Sequence, residues 1–73
     1  MEGQSIGKEF GSQLRKLRLE KGLSQERLAL NSGYHPTYIS HLETGKKLPT
    51  LETLIELSKS LGTNLTILLE PFI

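Results

Sequence analysis

The amino-acid sequence predicts an all-α fold, a compact domain of five short helices, and three observations support this prediction. Apolar residues recur at helical spacing, as at Phe10, Leu14 and Leu17. Glycine or proline interrupts the chain after each apolar stretch. Strand-like alternation with hairpin turns is missing, and only the apolar run 65–69 is ambiguous. A chain of 73 residues has room for one domain.

Composition narrows the class of protein. The chain has no cysteine, which excludes disulfides and thiolate metal sites, and it has neither a long apolar run nor a signal-peptide pattern. A cytoplasmic protein with no membrane segment is therefore expected. Residues 1–49 hold eight Lys and Arg against five Glu, whereas residues 50–73 hold one Lys against three Glu. A basic front suits a polyanionic partner, although ordinary solvated helix faces would also explain it.

The first predicted helix runs from about residue 8 to residue 21 and ends at Gly22, with Lys21 complementing the helix dipole. Its apolar stripe should face the core. Residues 1–7 are polar and contain glycine, so we expect a flexible N-terminus ahead of a folded domain over residues 8–70.

The second and third predicted helices are joined by a tight turn. The second opens at Ser24, a good N-cap, and the third opens with Pro36 at its first position and ends at Gly45. The turn, residues 32–35, contains Gly33, where a positive φ is expected. Two helices that meet across such a turn form a helix-turn-helix unit, whose second helix can enter the DNA major groove.

The fourth and fifth predicted helices complete the domain. The fourth starts after Thr50 and ends at Gly62, and its apolar face is predicted to consist of Leu51, Leu54, Ile55 and Ser58, with Leu57 and Leu61 adding to it. Asn64 can cap a short helix over residues 65–69, which Pro71 stops. Residues 71–73 then form a C-terminal tail.

The third helix is predicted to have a base-reading face. Successive residues are about 100° apart, so if Ile39 and Leu42 face the core, a set of small polar residues faces outward. This set is Thr37, Ser40, His41 and Thr44. Hydroxyl groups, an imidazole and threonine methyls suit contact with base edges, and Thr37, near the helix start, should reach deepest.

Phosphate contacts are expected from donors around this face. Gln25 lies at the start of the second helix, where its amide and the free backbone N–H groups suit a phosphate. Lys46 and Lys47 follow the third helix, and Tyr38 lies at its flank. We also place Ser24 among the phosphate-contacting residues, although its first role is that of a cap.

Glu43 follows Leu42 and lies close to the inward side of the third helix. An unpaired inward carboxylate is costly, so we predict an ion pair with Arg18 that ties the first helix to the third. A freely solvated Glu43 is the alternative.

No catalytic or metal-binding pattern is visible in the sequence. His35 and His41 do not have ligand spacing, and no nucleophile is paired with a base by any motif. We therefore expect no enzyme activity, no cofactor, no metal and no small-molecule substrate.

As a set, these features resemble the lambda-repressor/Cro-like helix-turn-helix family, also called the XRE family. The resemblance covers about residues 7–70 and rests on LRKLRLEKGLSQERLA, SGYHPTYISHLETGKKLPTLETLIELSKSLG and NLTILLE. It implies a DNA-binding regulator in which Gln25 contacts the DNA backbone and Arg18 pairs with Glu43. It also implies base-reading roles at Pro36, Thr37 and His41, of which Pro36 departs from the long polar side chain usual in the family. The compact length and the string Thr-Tyr-Ile-Ser resemble the controller proteins of restriction–modification systems, and small phage repressors and stand-alone regulators share much of the same sequence pattern.

A homodimer on double-stranded DNA is expected. One domain offers a thin interface, whereas a two-fold dimer reads two half-sites of a palindrome about 34 Å apart. The C-terminal end is more apolar than a small core requires, and we predict that Ile67, Leu69 and Phe72 are buried against a second copy. The alternative function is an antitoxin-type interaction module with secondary DNA binding.

Overall fold

The computed structural model describes residues 5–73, and within them the chain forms five α-helices and no strand. The helices are α1 (Ile6–Glu20), α2 (Gln25–Ser32), α3 (Pro36–Glu43), α4 (Leu51–Ser60) and α5 (Leu65–Leu68), followed by a short 3-10 helix over Glu70–Phe72. The predicted all-α class is therefore confirmed. None of the helices in this part of the chain is long and apolar enough to span a bilayer.

Side-chain caps explain where the helices begin. Ser24 Oγ accepts from the backbone N–H of Arg27 at 3.0 Å, Thr50 Oγ1 accepts from that of Thr53 at 3.1 Å, and Asn64 Oδ1 accepts from that of Ile67 at 3.0 Å. Each cap satisfies an N–H that has no partner within its own helix. These are the three caps expected from the sequence.

The first helix begins earlier than predicted. Ser5 Oγ accepts from the backbone N–H of Lys8 at 3.1 Å, so α1 starts at Ile6 and includes two residues expected to be loose. Residues 1–4 of the predicted flexible segment lie outside the described residues. At the other end, the 3-10 turn accommodates Pro71, whose fixed φ is compatible with the first turn of a helix.

The core lies between the five helices. Helix α1 packs against α3, α5 and the 3-10 turn, while α2 packs against α3 and α4. The buried apolar residues are Phe10, Leu14, Leu17, Leu28, Ala29, Ile39, Leu42, Leu57, Leu61 and Leu68. They come from all five helices, so the helix-turn-helix unit α2–α3 is fixed by the rest of the domain.

A glycine lets α1 approach α3 closely. A Cβ added at Gly11 would lie 2.4 Å from the carbonyl oxygen of Glu43 and 2.5 Å from that of Leu42. Since a real Cβ cannot come this close to backbone, the crossing requires glycine at this position. It brings the middle of α1 directly against the last turn of α3.

The inward face of α4 differs from the prediction. Leu51 is 67% exposed and Ile55 37% exposed, whereas Thr53 is buried. Thr53 Oγ1 lies within 3.2 Å of the hydroxyl oxygens of Tyr34 and Tyr38, so its burial supplies their hydrogen-bond partner. Part of the apolar surface of helix α4 is therefore exposed to solvent.

Candidate nucleic-acid interface

Helix α3 is anchored along one edge by apolar burial. Ile39 and Leu42 are fully buried, in contact with the core that α1 and α2 share. On the opposite side, Thr37 and Thr44 are exposed, and Ser40 and His41 are half-buried. The structure thus places four of the five predicted base-contacting residues on the outer side of α3 and its C-cap, and Pro36, the fifth, is the first residue of the helix.

The last of these four residues is partly engaged within the helix. Thr44 follows the final helical residue, Glu43, and its hydroxyl donates to the carbonyl oxygen of Ser40 at 2.9 Å. Its methyl group and hydroxyl lone pairs remain at the surface. Thr44 is therefore better placed for apolar contact than for donating a hydrogen bond.

The start of α3 is capped by a histidine. His35 Nδ1 accepts from the backbone N–H of Thr37 at 3.1 Å, and Pro36 occupies the first helical position, where it has no N–H to give. Pro36 is half-buried, so only an apolar contact remains open to it as a base reader. Sequence reasoning missed the role of His35, although an imidazole directly before a proline at the first helical position was the available signal.

A buried ion pair fixes the far end of α3 to α1. Arg18 Nε donates to Glu43 Oε2 at 2.6 Å, and Arg18 Nη2 donates to Glu43 Oε1 at 3.0 Å. The two side chains are only 7% and 2% exposed. The hydrogen bond from Arg18 to Glu43 raises the pKa of the guanidinium above its usual value, against the lowering effect of burial. This is the ion pair expected from the sequence.

The same carboxylate also holds α2. Gln25 Nε2 donates to Glu43 Oε1 at 3.0 Å, and Arg18 Nη1 donates to the carbonyl oxygen of Leu23 at 2.8 Å. Because three helices converge on Glu43, the geometry of the helix-turn-helix unit is locked by hydrogen bonds as well as by packing. Gln25 uses one of its two amide N–H groups in this contact, and the second is not needed for it.

Tyr38 is placed differently from the expectation. Its hydroxyl lies 3.2 Å from Thr53 Oγ1 on α4, and its ring packs against the core and lies 5.2 Å from the ring of Tyr34. A half-buried phenol directs its hydroxyl to the nearest partner, which here is inside the protein. The predicted phosphate contact of Tyr38 is therefore not supported by the geometry.

The other predicted phosphate-contacting residues lie at the start of α2 and after the end of α3. Ser24 is exposed and caps α2, next to Gln25, the first residue of that helix. Lys46 and Lys47 are exposed, and their backbone N–H groups donate to the carbonyl oxygen of His41 at 2.9 and 3.3 Å. These bonds hold the backbone of the basic loop against the last turn of α3.

The C-terminal segment leaves the exposed face of α3 uncovered. Helix α5 and the 3-10 turn pack against α1, and α5 also packs against α4.

Within residues 5–73, no group of three or more His, Asp or Glu side chains is arranged to hold a metal ion.

A second surface is apolar. A groove of about 240 Å³ lies between the start of α1, the loop before α4 and the end of the chain. It is lined by Ile6, Phe10, Leu48, Pro49, Leu54, Leu69 and Phe72. Ile6 is 67% exposed and Leu48 60% exposed, and the exposed Leu51 lies one helical turn from Leu54.

This apolar groove contains only part of the predicted dimer surface. Leu69 and Phe72 line it, whereas Ile67 lies outside it, with its carbonyl oxygen accepting from Gln13 Nε2 at 2.8 Å. Sequence reasoning missed Ile6 because α1 starts earlier than predicted. It missed Leu48 because that residue was taken as an ordinary loop position.

Comparison with known proteins identifies the class. The helix-turn-helix family profile matches residues 14–68, and the chain belongs to this family of DNA-binding transcriptional regulators. The recognition of an XRE-type domain from the sequence is confirmed.

Individual members of the family resemble this chain in sequence and in structure. The chain is 44% identical over 61 residues to y4dJ of Sinorhizobium fredii, an uncharacterized HTH-type transcriptional regulator, covering 84% of this chain and 79% of y4dJ. It is 43% identical over 54 residues to the control protein C.BamHI of Bacillus amyloliquefaciens, covering 73% and 67% of the two chains. The crystal structure of the restriction-modification controller protein C.AhdI from Aeromonas hydrophila superposes with a TM-score of 0.82 at 38% identity, covering 84% of this chain and 92% of that one.

Proposed function

We propose that this chain is a homodimeric, sequence-specific regulator in the cytoplasm that reads a palindromic operator with α3 and controls restriction–modification genes. The main support is the exposed polar face of α3, formed by Thr37, Ser40, His41 and Thr44, on a helix anchored by the buried Glu43. A rigid helix with a small polar outer face suits insertion into the major groove.

The charges around α3 support the same orientation. Lys46 and Lys47 follow the end of α3, and Gln25 at the start of α2 lies beside the same end, where its Nε2 donates to Glu43 Oε1 at 3.0 Å. Together they place phosphate donors beside the end of the inserted helix, which would set its register on the duplex.

The apolar groove supports the proposed dimer. Exposed Ile6, Leu48 and Phe72, joined by Leu51, form an apolar surface on elements other than α3. A two-fold contact there would bury apolar area while leaving both copies of α3 free for DNA.

The control of restriction–modification genes rests on relatives alone. Control proteins C.BamHI, C.SmaI and C.MunI are 43%, 46% and 43% identical to the matched segments of this chain. Their names give the proposed role, and the genes next to that of this chain would test it directly.

Selection from random DNA duplexes at one fixed salt concentration tests DNA recognition and symmetry together. The expected result is an enriched palindrome with half-site centres about 34 Å apart, which is one helical turn or a multiple of it. Enrichment of an asymmetric site would contradict the dimeric arrangement. Enrichment of no sequence would contradict specific recognition altogether.

A further inference from the structure

The first turn of α3 has its backbone donors occupied. Pro36 has no N–H, the N–H of Thr37 donates to His35 Nδ1 at 3.1 Å, and that of Tyr38 donates to the carbonyl oxygen of His35 at 3.0 Å. A helix start usually offers unpaired N–H groups to an anion. At this helix start, the donors left for a ligand must be side chains.

The cap determines which nitrogen of His35 carries the proton. A backbone N–H is always the donor, so Nδ1 must accept from Thr37 and the neutral ring must carry its hydrogen on Nε2. Nε2 lies on the far side of the ring, and His35 is exposed. The cap thus leaves a single N–H donor on the exposed ring at the start of α3, two residues before the exposed Thr37.

We propose that His35 contacts DNA directly, with its Nε2–H donating to an acceptor atom at the edge of the groove. The proposal rests on the proposed DNA-reading role of α3 and adds to it a residue outside the helix. The acceptor is either a phosphate oxygen or the N7 or O6 of a purine, all of which accept one N–H. Because the ring is held by Nδ1, little rotational freedom is lost on binding.

Two variants separate the DNA contact from the cap. His35→Ser keeps a good N-cap oxygen but removes the ring and its N–H, so we expect a folded protein with a melting temperature close to that of the wild type. His35→Ala removes both, and its melting temperature should fall by about 5 °C because the cap is lost.

The affinity of the wild type and of both variants is then measured for the duplex that the wild type selected and for a random duplex of the same length, at the same salt concentration. We expect His35→Ser to bind the selected duplex about fivefold more weakly, the effect of one neutral hydrogen bond. An equal loss on both duplexes would assign the acceptor as phosphate. A loss confined to the selected duplex would assign it as a base.

The result that overturns the proposal is wild-type affinity of His35→Ser on both duplexes, since His35 would then be only a cap. Failure of the proposed function would give a different experimental result. A wild-type protein that enriches no sequence removes the basis for a DNA contact by α3, and the His35 proposal falls with it.

Discussion

Arg18 on α1 and Glu43 at the end of α3 form a two-point ion pair inside the domain, with Nε 2.6 Å from Oε2 and Nη2 3.0 Å from Oε1. They are 25 residues apart in sequence. The backbone of Glu43 lies at the close crossing with Gly11, and its carboxylate is shared with Gln25 of α2. The helix that carries the proposed reading face is thereby tied to two other helices through one carboxylate.

Breaking this ion pair should markedly lower the free energy of unfolding of the domain. Arg18→Ala leaves the Glu43 carboxylate buried with Gln25 as its remaining partner, and we expect a loss of about 3–5 kcal/mol in the free energy of unfolding. Urea denaturation monitored by circular dichroism measures it. Arg15→Ala, an exposed arginine on the same helix, is the control and should change stability by less than about 0.5 kcal/mol. Equal stabilities of the two variants would show that the pair is not structural.

Adding a side chain between α1 and α3 should lower the stability of the domain. Gly11→Ala places a methyl group 2.4 Å from a backbone oxygen, so the helices must separate, and we expect a loss of about 1–3 kcal/mol. Thermal unfolding measures it, with the exposed neighbour Ser12→Ala as control. A Gly11→Ala protein as stable as the wild type would mean that the crossing is looser than described.

The reading face and the basic loop should affect DNA binding differently. Thr37→Ala should lose about 1–3 kcal/mol on the selected duplex and change little on random DNA, because it removes a base contact. Lys47→Ala should weaken binding to both duplexes alike and reduce the slope of log K against log salt by about 1, because it removes a phosphate contact. Titrations at several salt concentrations measure both. The same pattern of loss for both variants would contradict the assignment.

Charge placed in the apolar groove should separate the dimer. Leu48→Glu puts a carboxylate on a residue that lines the groove, and burial of that charge without a partner should raise the dimer dissociation constant at least about tenfold. Sedimentation equilibrium measures it. Leu19→Glu is the matched control, since Leu19 is also exposed, 52% against 60% for Leu48, but lies outside the groove. A wild-type protein that is monomeric at high micromolar concentration would contradict the dimer itself.

Replacing the glycine in the turn between α2 and α3 should destabilise the domain through local backbone strain. Gly33 has a φ of +82°, and a Cβ there would meet no atom within 4 Å, so Gly33→Ala should cost about 1–2 kcal/mol through backbone conformation alone. Gly33→Asn should cost less, because asparagine tolerates this region better. Thermal unfolding of the two variants measures the difference. An alanine variant as stable as the asparagine variant would contradict this explanation.

Most of the fold was predictable because its signals are local. Ser24, Thr50 and Asn64 cap helices as expected, and Gly33 adopts the expected positive φ. The ion pair of Arg18 and Glu43 was also predictable, because an inward carboxylate requires a partner.

The remaining features depend on contacts between distant segments. The burial of Thr53 in place of Ile55 depends on two tyrosine hydroxyls from α3 and the turn before it. The inward hydroxyl of Tyr38 follows from the same contact. The short distance from Gly11 to the end of α3 arises only when the helices cross, so helical periodicity gives no sign of it.

The separation of α3 into an anchored edge and an open edge has a consequence for the evolution of this protein. Ile39, Leu42 and Glu43 carry the packing, while Thr37, Ser40 and His41 contribute little to it. Under the proposed reading role of α3, natural variants can therefore exchange the three outer side chains and acquire new target sites while the domain still folds. Regulators with different targets can diverge from one ancestor on this scaffold by a handful of surface replacements.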